Sequence, residues 1–319
     1  RMGELSKLPH DAAEWRRAFE AAGDGTTCPD MKRIRDLRAL IWLQTEYAIH
    51  QIVKSRQLFG RGPMELLEKP WTARFTESSR SQGLAPSAPE ARRVQVLQRD
   101  LLEAAGEYAR EGRKVAVLNM ACANRPGGGF RSGAGAQEEN LHRRSDAVRF
   151  LEQQFRMYRI PVKGCLISED VTVFRGSERD GYPFLDQHFR ITMVSCAAIQ
   201  GPLLTRDLRY SRPGDEELMQ VKVAAIMDAA VEASCDVAVL SAFGCGAFGN
   251  PPEIVAAMFH KALQSSPLQE VVFCILDDHN AGGYHNPKGN IAPFREVFGL
   301  DTCERQDGAD CDLCPCPLG

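Results

Sequence analysis

The sequence lacks any run of about 18 apolar residues and any basic start followed by an apolar stretch, so neither a membrane span nor a signal peptide is expected. It also lacks a basic excess. Its 39 Lys and Arg are set against 42 Asp and Glu, a net charge of -3, which is poorly suited to generic binding of a phosphate backbone. A nucleotide is not excluded by this, because oriented backbone N–H groups neutralise a diphosphate without adding formal charge. There is no internal repeat. Cysteine is not scarce, but the eleven residues are odd in number. They are scattered through apparent strands (Cys165, Cys196, Cys274) as well as loops, which suits reduced thiols rather than a disulfide framework. The expected compartment is the cytoplasm, or the nucleus in a eukaryote.

What is present is a globular composition, 44% hydrophobic and 25% charged, over a length sufficient for one enlarged domain or two ordinary ones. Residues 1–110 read mainly as a helical extension, with Ala12–Ala21, Asp30–Ser55 and Glu90–Arg110 carrying Leu, Ala, Arg and Glu at helical spacing and Thr76–Pro89 forming a loop. From 111 to 300 the pattern becomes an α/β core. Short apolar runs (Val115–Met120, Leu166–Val173, Ile191–Ala197, Val237–Ser241, Val271–Leu276) alternate with helical ones (Asp146–Arg159, Glu216–Ser234, Pro252–Ser265). Residues 301–319 form a Cys- and Pro-containing tail.

Two loops carry chemistry. After Val115–Met120 comes Ala121-Cys122-Ala123-Asn124-Arg125-Pro126-Gly127-Gly128-Gly129, and then, through Gly133 and Gly135, Gln137-Glu138-Glu139. Such glycines let the backbone take positive φ and approach a ligand closely. The alternative of a flexible linker fits poorly between a strongly apolar strand and a helix that opens with acids. Paired acids at a helix start also stabilise the macrodipole, by roughly 0.3–1 kcal/mol, and need no other explanation on their own. Behind a glycine loop they suit glycosidic chemistry, in which a carboxylic acid protonates the departing oxygen. The second loop follows Val237–Ser241 and reads Gly244-Cys245-Gly246-Ala247-Phe248-Gly249-Asn250-Pro251-Pro252. A strand, a glycine loop and a helix start together make a diphosphate cradle. Phe248 serves equally as a stacking ring or a hydrophobic plug.

These motifs, together with Arg144-Ser145, Glu169–Arg175 and Val271–Asp278, resemble in order and spacing the microbial branch of the poly(ADP-ribose) glycohydrolases over roughly residues 90–299. The resemblance implies a macrodomain-like mixed α/β sheet flanked by helices. It implies a hydrolase that cuts ribose–ribose O-glycosidic bonds, in exo fashion, to release ADP-ribose and reverse ADP-ribosylation, as in the DNA damage response. By resemblance, Glu139 is the catalytic acid and then the base, and Glu138 orients ribose hydroxyls. Gly127, Gly128 and Gly129 cradle the ribose-phosphate, Gln137 beside the acids also binds substrate, and Asn124 contacts the distal ribose. Gly244, Cys245, Gly246, Ala247, Phe248 and Gly249 line the diphosphate. No cofactor or metal is implied. The expected partners are poly(ADP-ribose) or an ADP-ribosylated protein as substrate and ADP-ribose as product, with no membrane and the chain a monomer.

The sequence departs from the family pattern at Ala197-Ala198-Ile199-Gln200-Gly201-Pro202, at Arg125 and at Met120, which puts ligand contacts near 198–202 in doubt. Two other readings therefore stand beside the first: a hydrolase that removes single ADP-ribose units from an acceptor, and a macrodomain that only binds ADP-ribose. Retention of both glutamates argues against the second. The tail holds Cys303, Cys311, Cys314 and Cys316, the last three at an approximate zinc-ligand spacing that allows a four-cysteine site, but Pro315 and Pro317 suit a frayed end better. Cys122 and Cys245 read as small packing residues, and His279 and His285 as part of a solvated loop.

Overall fold

A computed structural model describes residues 10–23, 29–55, 57–58, 61–63, 73–77, 92–152, 158–277 and 281–300. Two helices lead the chain, α1 (Ala12–Ala21) and α2 (Met31–Ser55). Asp11 caps α1, its Oδ1 accepting from the Glu14 N–H at 2.9 Å. The short strands β1 (Gln57–Leu58) and β2 (Arg61–Pro63) form an antiparallel ribbon. The rest of the chain supplies β3 (Ala73–Glu77), β4 (Arg93–Leu97), α3 (Leu101–Arg110), β5 (Val115–Met120), α4 (Gln137–Arg144), α5 (Ala147–Glu152), β6 (Gly164–Arg175), β7 (Phe184–Cys196), α6 (Asp215–Glu232), β8 (Val237–Leu240), α7 (Pro252–Leu263), β9 (Glu270–Cys274) and α8 (Ile291–Val297). Seven strands make one sheet in the order β3-β6-β7-β5-β8-β9-β4.

The chain divides into two compact units. One draws on residues of Arg1–Arg74, Ala121–Arg159 and Ser168–Met193, the other on Phe75–Met120, Ile160–Ile167 and Val194–Gly319. Each has its own apolar cores. In the first unit, Trp15, Phe19, Ile34, Ile41 and Tyr182 pack together, with Trp15 stacked on Phe19 at 4.7 Å. A neighbouring cluster joins Trp42, Ala48, Ile49, Phe130, Val148 and Phe174. In the second unit, β5, β8, β9 and β4 pair in parallel, Val115 opposite Val237, Val237 opposite Glu270 and Arg93 opposite Glu270. Every residue of β8 and β9 is buried, as expected of parallel strands covered on both faces.

Several expectations are corrected. Glu90–Arg110 was expected to be one helix, but Arg93–Leu97 is a strand and only Leu101–Arg110 is helical. The Val94-Gln95-Val96 alternation gives burial with period two. Asp100 then starts the helix, its Oδ1 accepting from the Glu103 N–H at 2.9 Å. The expected helix Asp146–Arg159 is described only over Ala147–Glu152, and Tyr158 and Arg159 are not helical. Thr76 and Glu77, expected in a loop, close strand β3. The remainder of that loop expectation and the cysteine tail lie outside the described residues. No helix among the described residues is long and apolar enough to cross a membrane.

Candidate active site

The acid loop leaves β5, a strand buried over Val115–Asn119, and its turns are built on glycine. Gly127 and Gly128 have φ of +73° and +59°, which disfavour any side chain. They also lack the room for one. A Cβ on Gly127 would lie 2.5 Å from the Phe130 ring and 2.9 Å from His142, and a Cβ on Gly128 would run into the Glu139 carboxylate. Gly127 therefore makes room for the Phe130 and His142 rings, and Gly128 for the two carboxylates.

Glu138 and Glu139 open α4 and are both buried, with 4% and 8% of their surfaces exposed. Glu138 is held at both oxygens: Oε2 accepts from the Cys122 N–H at 2.7 Å and Oε1 from the Gly127 N–H at 3.0 Å. Glu139 is held at one, Oε1 accepting from the Gly129 N–H at 2.8 Å. Its Oε2 is buried without a hydrogen-bond partner among the described residues. Leaving a buried acceptor unpaired costs about 1–3 kcal/mol. Adjacent carboxylates thus differ in their surroundings, one bonded at both oxygens and one at a single oxygen.

The floor of the loop is neutral and rigid. His142, fully buried, donates from Nδ1 to the Glu138 carbonyl at 2.8 Å and stacks on Phe130 at 5.3 Å. Burial pulls its pKa down to about 4, so it is uncharged at neutral pH. Phe130 in turn meets Trp42 of α2 edge-on at 4.2 Å. Tyr158 donates its hydroxyl to the Cys122 carbonyl at 2.9 Å, tying down the residue whose N–H holds Glu138. Burial and the neighbouring Glu138 charge push the phenol far above its ordinary value, so it stays a donor. Tyr158 went unnoticed in the sequence, because a single tyrosine at the end of a supposed helix carries no local signal.

In the second unit, Gly244 has φ of +73°, and a Cβ there would lie 2.5 Å from that of Ala198 and 2.7 Å from the Asn250 amide. Asn250 staples this loop. Its Nδ2 donates to the carbonyls of Ile199 (2.8 Å) and Gly244 (3.0 Å), and its Oδ1 accepts from the Tyr210 hydroxyl at 2.9 Å. The Gly201 N–H reaches the Phe248 carbonyl at 2.8 Å, so the departing segment 198–201 is part of this loop's framework. The N–H groups of Gly246, Ala247 and Phe248 make no hydrogen bond among the described residues. These three residues precede helix α7, which has Pro252 in its first turn.

Cys245 is fully buried and its thiol is pushed well above the ordinary range by burial, which removes it as a nucleophile. His285 corrects an expectation: its Nε2 contacts the Cys245 carbonyl at 2.7 Å, so it braces the loop rather than standing in solvent. His279 lies outside the described residues. Of the other expected site residues, Asn124 is exposed and Gln137 half-buried in the first unit, and Gly246, Phe248 and Gly249 are half-buried and Ala247 exposed in the second. No cluster of three or more His, Cys, Asp or Glu among the described residues is arranged to hold a metal ion.

Known proteins are similar to this chain in sequence and in fold. Residues 44–176 match the sequence model of the family described as microbial-type PARG, catalytic domain, a span that contains the whole acid loop. Among solved structures, the poly(ADP-ribose) glycohydrolase of Thermomonospora curvata is similar at 26% identity and a TM-score of 0.63, over 83% of this chain and 100% of that one. The same enzyme bound to the inhibitor ADP-HPD matches at 26% identity and a TM-score of 0.62, over 82% and 99%. The poly(ADP-ribose) glycohydrolase of Deinococcus radiodurans in complex with ADP-ribose shares the fold, at 23% identity and a TM-score of 0.55 over 72% and 95%. No curated protein matches the chain in sequence. The macrodomain-like α/β fold and the likeness to microbial-type PARG expected from the motifs are both borne out.

Proposed function

We infer that this chain is a poly(ADP-ribose) glycohydrolase, hydrolysing the ribose–ribose O-glycosidic bond of poly(ADP-ribose) and releasing ADP-ribose from the polymer end. The observation that carries the reading is the asymmetry of the two acids. Glu138 has both oxygens fixed by backbone N–H groups, whereas Glu139 has Oε1 fixed and Oε2 buried without a partner among the described residues. A binding module has no use for a buried, half-open carboxyl group, but a general acid does. The match to the microbial-type PARG catalytic domain and the likeness to the Thermomonospora curvata glycohydrolase support the same chemistry.

In this reading the Glu139 carboxylic acid gives its proton from Oε2 to the departing ribose oxygen as the anomeric carbon gains oxocarbenium character. The resulting carboxylate then takes a proton from the water that attacks that carbon. One water is consumed, one glycosidic bond is broken, and Glu139 ends protonated as it began. Glu138, fixed by one N–H donor on each oxygen, from Cys122 and Gly127, is the orienting member and accepts from ribose hydroxyls with its remaining lone pairs. Gly127, Gly128, Gly129, Gln137 and Asn124 are proposed to contact the ribose-phosphate. The run Gly246–Phe248, within Gly244–Gly249, is proposed to receive the diphosphate. The chain acts as a monomer, in the cytosol or, in a eukaryote, the nucleus.

The test compares ADP-ribose release from polymer-modified and from singly modified protein, with chain lengths followed over time. Release of ADP-ribose from polymer, with a single unit left on the protein, is the expected result. Removal of that last unit at equal rate would replace this reading with an acceptor hydrolase, and inertness towards both with a binding module.

A further inference from the structure

The segment that carries the acids is gripped from the side by the N-terminal helix. Gly133, Ala134 and Gly135 immediately precede Ala136 and the Gln137-Glu138-Glu139 start of α4. A Cβ on Gly133, itself at φ of +76°, would run into the Arg35 carbonyl of α2. One on Gly135 would run into the Arg38 guanidinium. Between them, the Ala134 carbonyl accepts from Arg143 Nη1 at 2.7 Å. The segment is thus held by two turns of α2 on one side and by its own helix on the other.

Arg38 is fixed as firmly as the loop that it touches. It makes a two-pronged ion pair with Glu178, Nε to Oε2 at 2.9 Å and Nη2 to Oε1 at 2.7 Å, and its guanidinium lies 5.2 Å above the Phe19 ring of α1. Its side chain is only 13% exposed. Glu178 also accepts from the Tyr182 hydroxyl at 2.6 Å, and that same hydroxyl accepts from Arg143 Nε at 3.0 Å. Arg143 is fully buried, and its backbone carbonyl accepts from Thr45 of α2 at 2.7 Å. Arg38, Glu178, Tyr182 and Arg143 therefore close a ring around the entry to α4, and the ring starts and ends on α2.

The geometry points to Arg38 as a positioning residue for the acid pair, which makes the N-terminal helix a working part of the catalytic unit rather than a cover over it. The two-pronged ion pair of Arg38 goes to Glu178 rather than to either acid. Arg38 acts through Gly135 and the Glu178–Tyr182–Arg143 ring, holding the backbone from which Glu138 and Glu139 reach the N–H groups of Cys122, Gly127 and Gly129. A guanidinium is required because only a planar fork can meet both Glu178 oxygens while its far end occupies the space left by the missing side chain of Gly135. The role rests on the glycohydrolase reading for its kinetic consequence but not for its structural one.

The test compares wild type, Arg38→Ala and Arg38→Lys by two readouts, amide hydrogen exchange of peptides spanning 122–139 and turnover of poly(ADP-ribose). Both variants are expected to speed exchange in that segment at least tenfold while peptides of β8 and β9 are unchanged. kcat should fall at least tenfold in Arg38→Ala with KM within twofold, and millimolar guanidinium should restore part of the kcat of Arg38→Ala. Unchanged exchange in 122–139 overturns the proposal, as does faster exchange throughout the chain, which would make Arg38 a general support of the fold. Full retention of kcat in the presence of faster loop exchange also overturns it. A wild type that leaves the polymer intact would contradict the glycohydrolase reading alone, since the exchange experiment still decides what Arg38 positions.

Discussion

The two glycine loops have similar composition and opposite construction. In the acid loop the backbone N–H groups of Cys122, Gly127 and Gly129 are engaged by the protein's own carboxylates, and Gly128 makes room for those carboxylates. In the second loop the room at Gly244 is taken by Ala198 and Asn250, and the N–H groups of Gly246, Ala247 and Phe248 remain without an acceptor among the described residues. The first loop brings its own negative charge. The second carries no charged residue between Gly244 and Gly249. Glycine content alone therefore says that a backbone comes close to something, while the partner of each N–H says to what.

Breaking the first loop is expected to have the largest effect. Gly128→Ala places a Cβ at positive φ against the Glu139 carboxylate and displaces the acid, so turnover should fall by about 10²–10⁴-fold, the worth of a positioned general acid. Single-turnover measurements with saturating enzyme would show it as lost chemistry. ADP-ribose affinity measured by calorimetry should change far less.

The floor of the same loop gives a pH signature. His142 has its pKa lowered from 6.5 to about 4 by burial, so the unfolded chain takes up a proton at pH values where the folded one does not. Its contribution to stability is intact above pH 6.5 and is lost progressively as the pH falls towards 4. At 1.36 kcal/mol per pKa unit the full loss is about 3 kcal/mol. Chemical denaturation of wild type and His142→Asn across pH 4–7 should show that difference shrinking on the acid side. A constant difference would mean that the imidazole is not held neutral.

The second loop is expected to respond through its staple. Asn250→Ala removes two bonds to the carbonyls of Ile199 and Gly244 and leaves the Tyr210 hydroxyl unpaired. A stability loss of about 2 kcal/mol follows, with weaker ADP-ribose binding and unchanged hydrogen exchange at 122–139. The smallest effect is assigned to Tyr158→Phe, which deletes one hydrogen bond to the Cys122 carbonyl, worth about 1 kcal/mol. It sharpens the comparison, since only the acid loop should loosen.

Much of this was legible in the sequence because each signal was local. Val115–Met120 announces itself by an unbroken apolar run, and Pro252 by its place after a glycine loop. Gln137-Glu138-Glu139 announces itself by charge where a core begins. What was not legible depends on partners distant along the chain. Arg38 finds Glu178, Thr45 finds Arg143, and Tyr158 finds Cys122, and no spacing rule relates such pairs. Strand β4 was misread because the alternation in Val94-Gln95-Val96 is short and stands among good helix formers. His285 reads as a solvated loop residue in the sequence, because a Gly- and Asn-rich segment looks the same whether or not it packs on another loop.

The most direct test of the central claim is ADP-ribose release from automodified poly(ADP-ribose) polymerase by wild type and Glu139→Gln, with ADP-ribose affinity measured for both. A glutamine keeps an oxygen for the Gly129 N–H but has no proton to give. Release by wild type alone, with both proteins binding ADP-ribose equally, is the predicted result. Release by the variant at more than about one tenth of the wild-type rate would contradict the assignment of Glu139 as the general acid.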